Sequence, residues 1–168
     1  MVTRLCNALP LRATGFDKTA AWGTVAKLKF MVRVNTMRMV LIGLIFVAGM
    51  FNLFLAISFV YDPAGMGASF GLSPTGPLGT AVLRADFTAF FAVIGLCMLR
   101  GAWKRNGDVL LVPAMLFGIA FCGRAITAFL DGTQPGFFQP MGFEAAQFIL
   151  LVIGWRIVPH HQIDELTG

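Results

Sequence analysis

The stretch RMVLIGLIFVAGMFNLFLAISFVY, residues 38–61, carries one charged side chain, Arg38 at its start, and otherwise only Asn52, Ser58 and the terminal Tyr61 as polar interruptions. A helix rising 1.5 Å per residue crosses the roughly 30 Å hydrocarbon core of a bilayer with about 20 residues. This run is long enough. Three further apolar stretches follow at about 80–100, 109–130 and 143–158, of which the last spans only if flanking residues join it. None shows the period-two alternation of a barrel strand, and an open strand in lipid leaves its backbone unsatisfied. The expected fold class is therefore all-α, an integral membrane four-helix bundle.

Composition agrees. Hydrophobic residues make up 57% of the chain and charged residues 12%, with a mean hydropathy of +0.78, against about 25% charge in soluble domains. The 17 phenylalanines add apolar bulk with no polar tip. A net charge of +5 does not point to nucleic acid, because seven of the thirteen basic residues (Arg4, Arg12, Lys18, Lys27, Lys29, Arg33 and Arg38) precede or open the first apolar run. Beside a membrane such residues set topology or touch anionic lipid. Membrane lipid is the expected partner, and nucleic acid is not.

Cys6, Cys97 and Cys122 form no CxxC pair, so neither a disulfide framework nor a zinc site is expected. No histidine falls in a span, which excludes bis-histidine haem ligation there. His160 and His161, with Asp164 and Glu165, lie in a polar tail at 159–168 that reads as solvated. No phosphate-cradling glycine loop or nucleophile elbow is present. No cofactor and no metal are expected.

The segment before the first span is basic, and the loop from Arg100 to Asp108 holds Arg100, Lys104 and Arg105. The connections Asp62–Gly79 and Asp131–Gly142 contain no Lys or Arg. This asymmetry places both termini on the cytoplasmic side. Residues 1–37 read as a basic extension, without regular structure or translated upstream of the true start at Met31, Met37 or Met39. The four-span domain occupies 38–158. In the first outer connection, Asp62 followed by Pro63 is a helix-start signal, with Met66 and Phe70 spaced to share a face.

Six charged residues fall toward the outer ends of the spans: Asp62, Arg84, Asp86, Arg124, Asp131 and Glu144. An intramembrane arginine costs about 2.5–3.5 kcal/mol at a span centre and less near its ends. Arg124 lies deepest and calls for a partner, with Glu144 on the next span the first choice and Asp86 the second. Thr88, Thr127 and Gln147 accompany Arg84, Arg124 and Glu144 at helical spacing, and Asn52 accompanies Gly49 and Ala56 on the first span. Ala114, Gly118 and Cys122 form a small-residue series expected to pack closely. The layer built on Arg84, Asp86, Arg124, Asp131 and Glu144 admits two interpretations, mutual charge pairing that fixes helix register or a pocket for a polar-headed ligand.

The ordered set Asp62-Pro63, Gly71-Leu72, Leu83-Arg84-Ala85, Gly123-Arg124, Asp131-Gly132 and Glu144 resembles a bacterial family of small four-helix membrane proteins, loosely DoxX-like. The resemblance covers about residues 38–158 and has no counterpart for 1–30. It departs from the family at Thr88-Ala89, where relatives often carry paired glycines. It implies a bacterial inner membrane and, since some DoxX-like proteins are subunits of membrane redox complexes, an accessory-subunit role. Three functional classes stand open on the residues: a non-catalytic subunit or binder of an amphipathic ligand, with a membrane-protein partner or a second copy; an enzyme using Glu144 or Asp86 as proton carrier on a lipid or isoprenoid; and a small oligomeric transporter.

Overall fold

The computed structural model describes residues 18–159, with side chains from Arg33 onward. The chain divides into two units, residues 1–36 and 37–168. Cys6, His160, His161, Asp164 and Glu165 lie outside the described residues. Among the described residues six α-helices form: α1 (Lys18–Tyr61), α2 (Pro63–Ser69), α3 (Gly76–Val82), α4 (Thr88–Lys104), α5 (Leu111–Leu130) and α6 (Phe138–Ile157). No strand occurs among the described residues.

Among the described residues four segments are long and apolar enough to cross a bilayer: Arg33–Tyr61, Gly76–Lys104, Asp108–Leu130 and Phe138–Ile157. The chain is an all-α integral membrane protein. Its first span belongs to a helix that starts at Lys18, not near 38. Residues 18–37 thus differ from the unstructured extension expected from composition, since their Lys, Ala, Leu and Met residues are good helix formers and no proline interrupts them. The fourth span reaches about 30 Å because Phe138–Gly142 join it.

In the second span, α3 passes into α4 through a π-helical turn at Leu83–Phe87, with no break in helical backbone at either junction. The third span opens with a 3-10 turn at Asp108–Leu110. At the same end the Gly107 N–H donates to the Pro159 carbonyl at 3.0 Å, tying the loop between the second and third spans to the end of the fourth.

Two apolar clusters hold the bundle. Leu41, Ile45, Ile94, Met98, Ala102, Leu110, Ala114, Phe117 and Leu151 join all four spans toward the basic end. Leu55, Ala56, Phe59 and Phe91 form the other, covered by Met66, Phe70 and Phe87. Phe59 stacks on Phe87 at 4.9 Å between ring centroids, and Phe70 lies 5.6 Å away. Large apolar side chains, among them Val47, Phe54, Ile119 and Phe129, face outward along the spans. That is the distribution lipid requires.

Asp62 and Pro63 start α2 as the sequence indicates. The Gly65 N–H donates to Asp62 Oδ1 at 2.9 Å, and Pro63 occupies the first helical position. This cap holds Met66 and Phe70 against Phe59. Asp62→Ala is expected to weaken α2 by about 1 kcal/mol, read as faster amide exchange over residues 63–70 with the four spans unchanged.

The small-residue series of α5 packs only in part. Ala114 is buried and Gly118 lies under the Phe148 ring, but Cys122 is exposed. The close approach predicted there instead belongs to α1 and α4, where Gly49 faces Gly95 and Met98.

Candidate functional site

Arg124 and Glu144 meet as the sequence indicates, with Arg124 Nε donating to Glu144 Oε1 at 2.7 Å. The local sequence dictates the meeting. Gly132 and Gly136, at φ +84° and +86°, turn the chain in a conformation that side-chain-bearing residues rarely adopt. This reverses α5 into α6. Arg124 lies six residues before Leu130 and Glu144 six residues after Phe138, so each sits about 9 Å inside its helix end.

The pair is unequal in exposure, Arg124 keeping 29% of its side-chain surface and Glu144 11%. Arg124 therefore opens to the surroundings while Glu144 points inward. Only Nε of the guanidinium is engaged by Glu144. Glu144, Gln147, Leu151 and Gly154 form the buried face of α6.

Three buried acceptors on this interior are reached by no donor of the described protein: Glu144 Oε2, Gln147 Oε1 and Asn52 Oδ1. Asn52, fully buried, donates from Nδ2 to the Ala48 carbonyl at 2.8 Å and approaches Met98 Sδ at 3.8 Å, which leaves its oxygen turned away. Its depth follows from two contacts. Ile45 lies against Gly154, and the Phe51 ring meets Phe143 edge-on at 5.7 Å. Counting two turns outward from the Ile45–Gly154 contact brings α1 to Asn52 and α6 to Gln147. The three oxygens thus occupy adjoining levels of the bundle. A buried polar atom without a partner costs about 1–3 kcal/mol, so each of the three oxygens gains from a donor brought to it.

The remaining charged residues do not join this set. Arg84 Nε donates to the Val60 carbonyl at 3.1 Å, one residue before α1 ends. A cation on a helix's last carbonyls satisfies an otherwise open acceptor and complements the helix dipole. Thr88 Oγ1 donates one turn deeper, to the Ala56 carbonyl at 3.3 Å. Arg84 and Thr88 therefore fasten the second span to the first.

Asp86 is exposed and pairs with neither arginine, so the second-choice partnership is not formed. Asp131 ends α5 exposed, and Thr127 is exposed and back-bonds to its own Gly123 carbonyl at 3.2 Å. The continuous charged layer is thus two separate devices, a helix tie at Arg84 and the Arg124–Glu144 pair with buried Gln147 on the same face of α6, while Asn52 is buried at an adjoining level of α1. Sequence spacing placed every member but could not show this division, which depends on which way each helix turns its face.

The fold and this site define a membrane-embedded helical bundle with an ion pair and buried, unpartnered acceptors among its described residues. No protein-family model, no curated protein and no solved structure matches the chain.

Proposed function

We propose that the protein is a non-catalytic binder of an amphipathic small molecule, whose polar head enters between α5 and α6 beside Arg124 and whose apolar part lies along the outer surface. One observation carries this reading: Glu144 Oε2 and Gln147 Oε1 are buried, unpartnered and on the face of α6 that adjoins the partly open Arg124. A pair serving only helix register has no use for a second carboxylate oxygen held away from its arginine. The lack of Lys and Arg in both connections at this end supports a site in the outer leaflet, with both termini cytoplasmic. The resemblance to DoxX-like proteins supports a bacterial inner membrane as its location.

The test is purification of the full chain from native membranes in mild detergent, followed by mass spectrometry of what is retained. The expected result is one class of amphipathic molecule near one per chain, lost from the Arg124→Ala, Glu144→Gln double variant although that variant still folds. A chain that comes away empty, or in fixed ratio with a larger membrane protein, would replace this reading with a structural or accessory-subunit role.

A further inference from the structure

We infer that the head of this ligand is uncharged and carries at least two hydroxyl groups, making the ligand a lipid diol of the monoacylglycerol kind. The inference rests on the amphipath-binding reading and names the chemistry that the site accepts.

Hydrogen bonding gives the first argument. Glu144 Oε2, Gln147 Oε1 and Asn52 Oδ1 are all acceptors, so the complementary group must donate. An ester, ether or ketone head has no donor and would leave all three oxygens unsatisfied. A hydroxyl donates to them and can also accept from the guanidinium nitrogens of Arg124 that Glu144 does not engage.

Charge gives the second. Arg124 and Glu144 neutralise each other at 2.7 Å. Adding an ammonium head would leave the site with a net positive charge, and adding a carboxylate head would leave it net negative. Either is heavily penalised where water is excluded. An uncharged head preserves the balance.

Depth gives the third. The pair lies about 9 Å inside helices that only just span the hydrocarbon core. A phosphate-bearing head would have to leave the headgroup region to reach it. A glycerol-type head can sink that far at the smaller cost of a neutral polar group, offset by the bonds it makes.

The count of hydroxyls comes from spacing. Glu144 and Gln147 are three residues apart on one face, a rise of about 4.5 Å. A hydroxyl carries a single hydrogen and donates one hydrogen bond, whereas two neighbouring hydroxyls across that interval donate one to each.

The experiment measures equilibrium retention of radiolabelled 1-monooleoylglycerol by the full chain in detergent, against methyl oleate, oleic acid and oleylamine as chain-matched probes. Monooleoylglycerol is expected to bind at least tenfold more tightly than each of the three, and free glycerol at millimolar concentration is expected not to displace it. Gln147→Leu keeps the side-chain volume and the ion pair while removing one unpartnered acceptor, and is expected to weaken monooleoylglycerol about tenfold with a melting temperature no lower than the parent's. Equal binding of methyl oleate would overturn the diol. Preference for oleic acid or oleylamine, still sensitive to Gln147→Leu, would overturn the uncharged head and leave an amphipath site standing. Displacement by glycerol would overturn the lipid. Retention of no probe would remove both the diol and the reading beneath it.

Discussion

Arg124→Ala is expected to lower the stability of the bundle by about 2–3 kcal/mol, and Glu144→Gln added to the same chain is expected to restore a large part of that loss. Removing one member of a buried ion pair strands the other, which costs about 3–5 kcal/mol when both are fully buried. The smaller figure applies because Arg124 keeps 29% of its side-chain surface open. Glu144, at 11%, is the member that suffers from being left alone, with Oε1 then as unpartnered as Oε2 already is.

The single variants should therefore be unequal. Glu144→Gln leaves a guanidinium that can turn outward and an amide that can still accept from it, so its effect alone is expected to be about half that of Arg124→Ala or less. Neutralising both positions removes the stranded charge, and the coupling between them should exceed about 1 kcal/mol. Reversible unfolding of the four chains in mixed micelles reads all of these values. Strict additivity would show that the 2.7 Å contact contributes nothing to holding α5 against α6.

This pairing was legible in the sequence for a physical reason. Two spans joined by a short glycine-bearing turn must run antiparallel, so the deep cation of one has the carboxylate of the next as its natural partner, although their equal depth emerged only with the start of α6 at Phe138. The apolar runs were legible because lipid tolerates little else over 20 residues, and the Asp62-Pro63 start was legible because capping is local. Arg84 was not. Its partner is a main-chain carbonyl on another helix, and carbonyls carry no sequence signal.

The π-helical turn at Leu83–Phe87 was equally hidden, being one extra residue fitted into a helix whose composition does not change. Asn52 was visible as a polar residue on a small face, but the direction of its oxygen depends on the bond to Ala48 and the approach of Met98. Cys122 shares its spacing with Ala114 and Gly118, yet it is exposed, while Arg124 two residues on meets Glu144 of α6. Faces follow from helical spacing; which neighbour a face meets follows from crossing geometry, and that is set by the bulk of residues far along the chain.

Gly95 shows how strongly that geometry is fixed, and substitution there is expected to have the other large effect. A Cβ placed on Gly95 would lie 2.8 Å from Leu53 Cγ and 2.9 Å from the carbonyl oxygen of Gly49. Leu53 can rotate aside, but a helix carbonyl cannot. Gly95→Ala therefore forces α1 and α4 apart, at about 1–3 kcal/mol for overpacking of this kind. Gly95→Val is expected to exceed that, because its two methyl groups are confined to one rotamer in a helix. Gly43→Ala is the control, since a Cβ there meets nothing within 4 Å, and its stability is expected to match or slightly exceed the parent chain.

The effect should not stop at stability. Asn52 lies one turn from Gly49 and approaches Met98 on the helix that Gly95 belongs to. Separating α1 from α4 shifts Asn52 relative to Gln147, so Gly95→Ala is expected to weaken monooleoylglycerol retention at a temperature where the variant is still fully folded. A Gly95→Ala chain as stable as its parent would mean that the two helices do not approach as closely as Gly49 and Gly95 allow. A destabilised chain with undiminished retention would separate Asn52 from the site and leave Glu144 and Gln147 to form it alone.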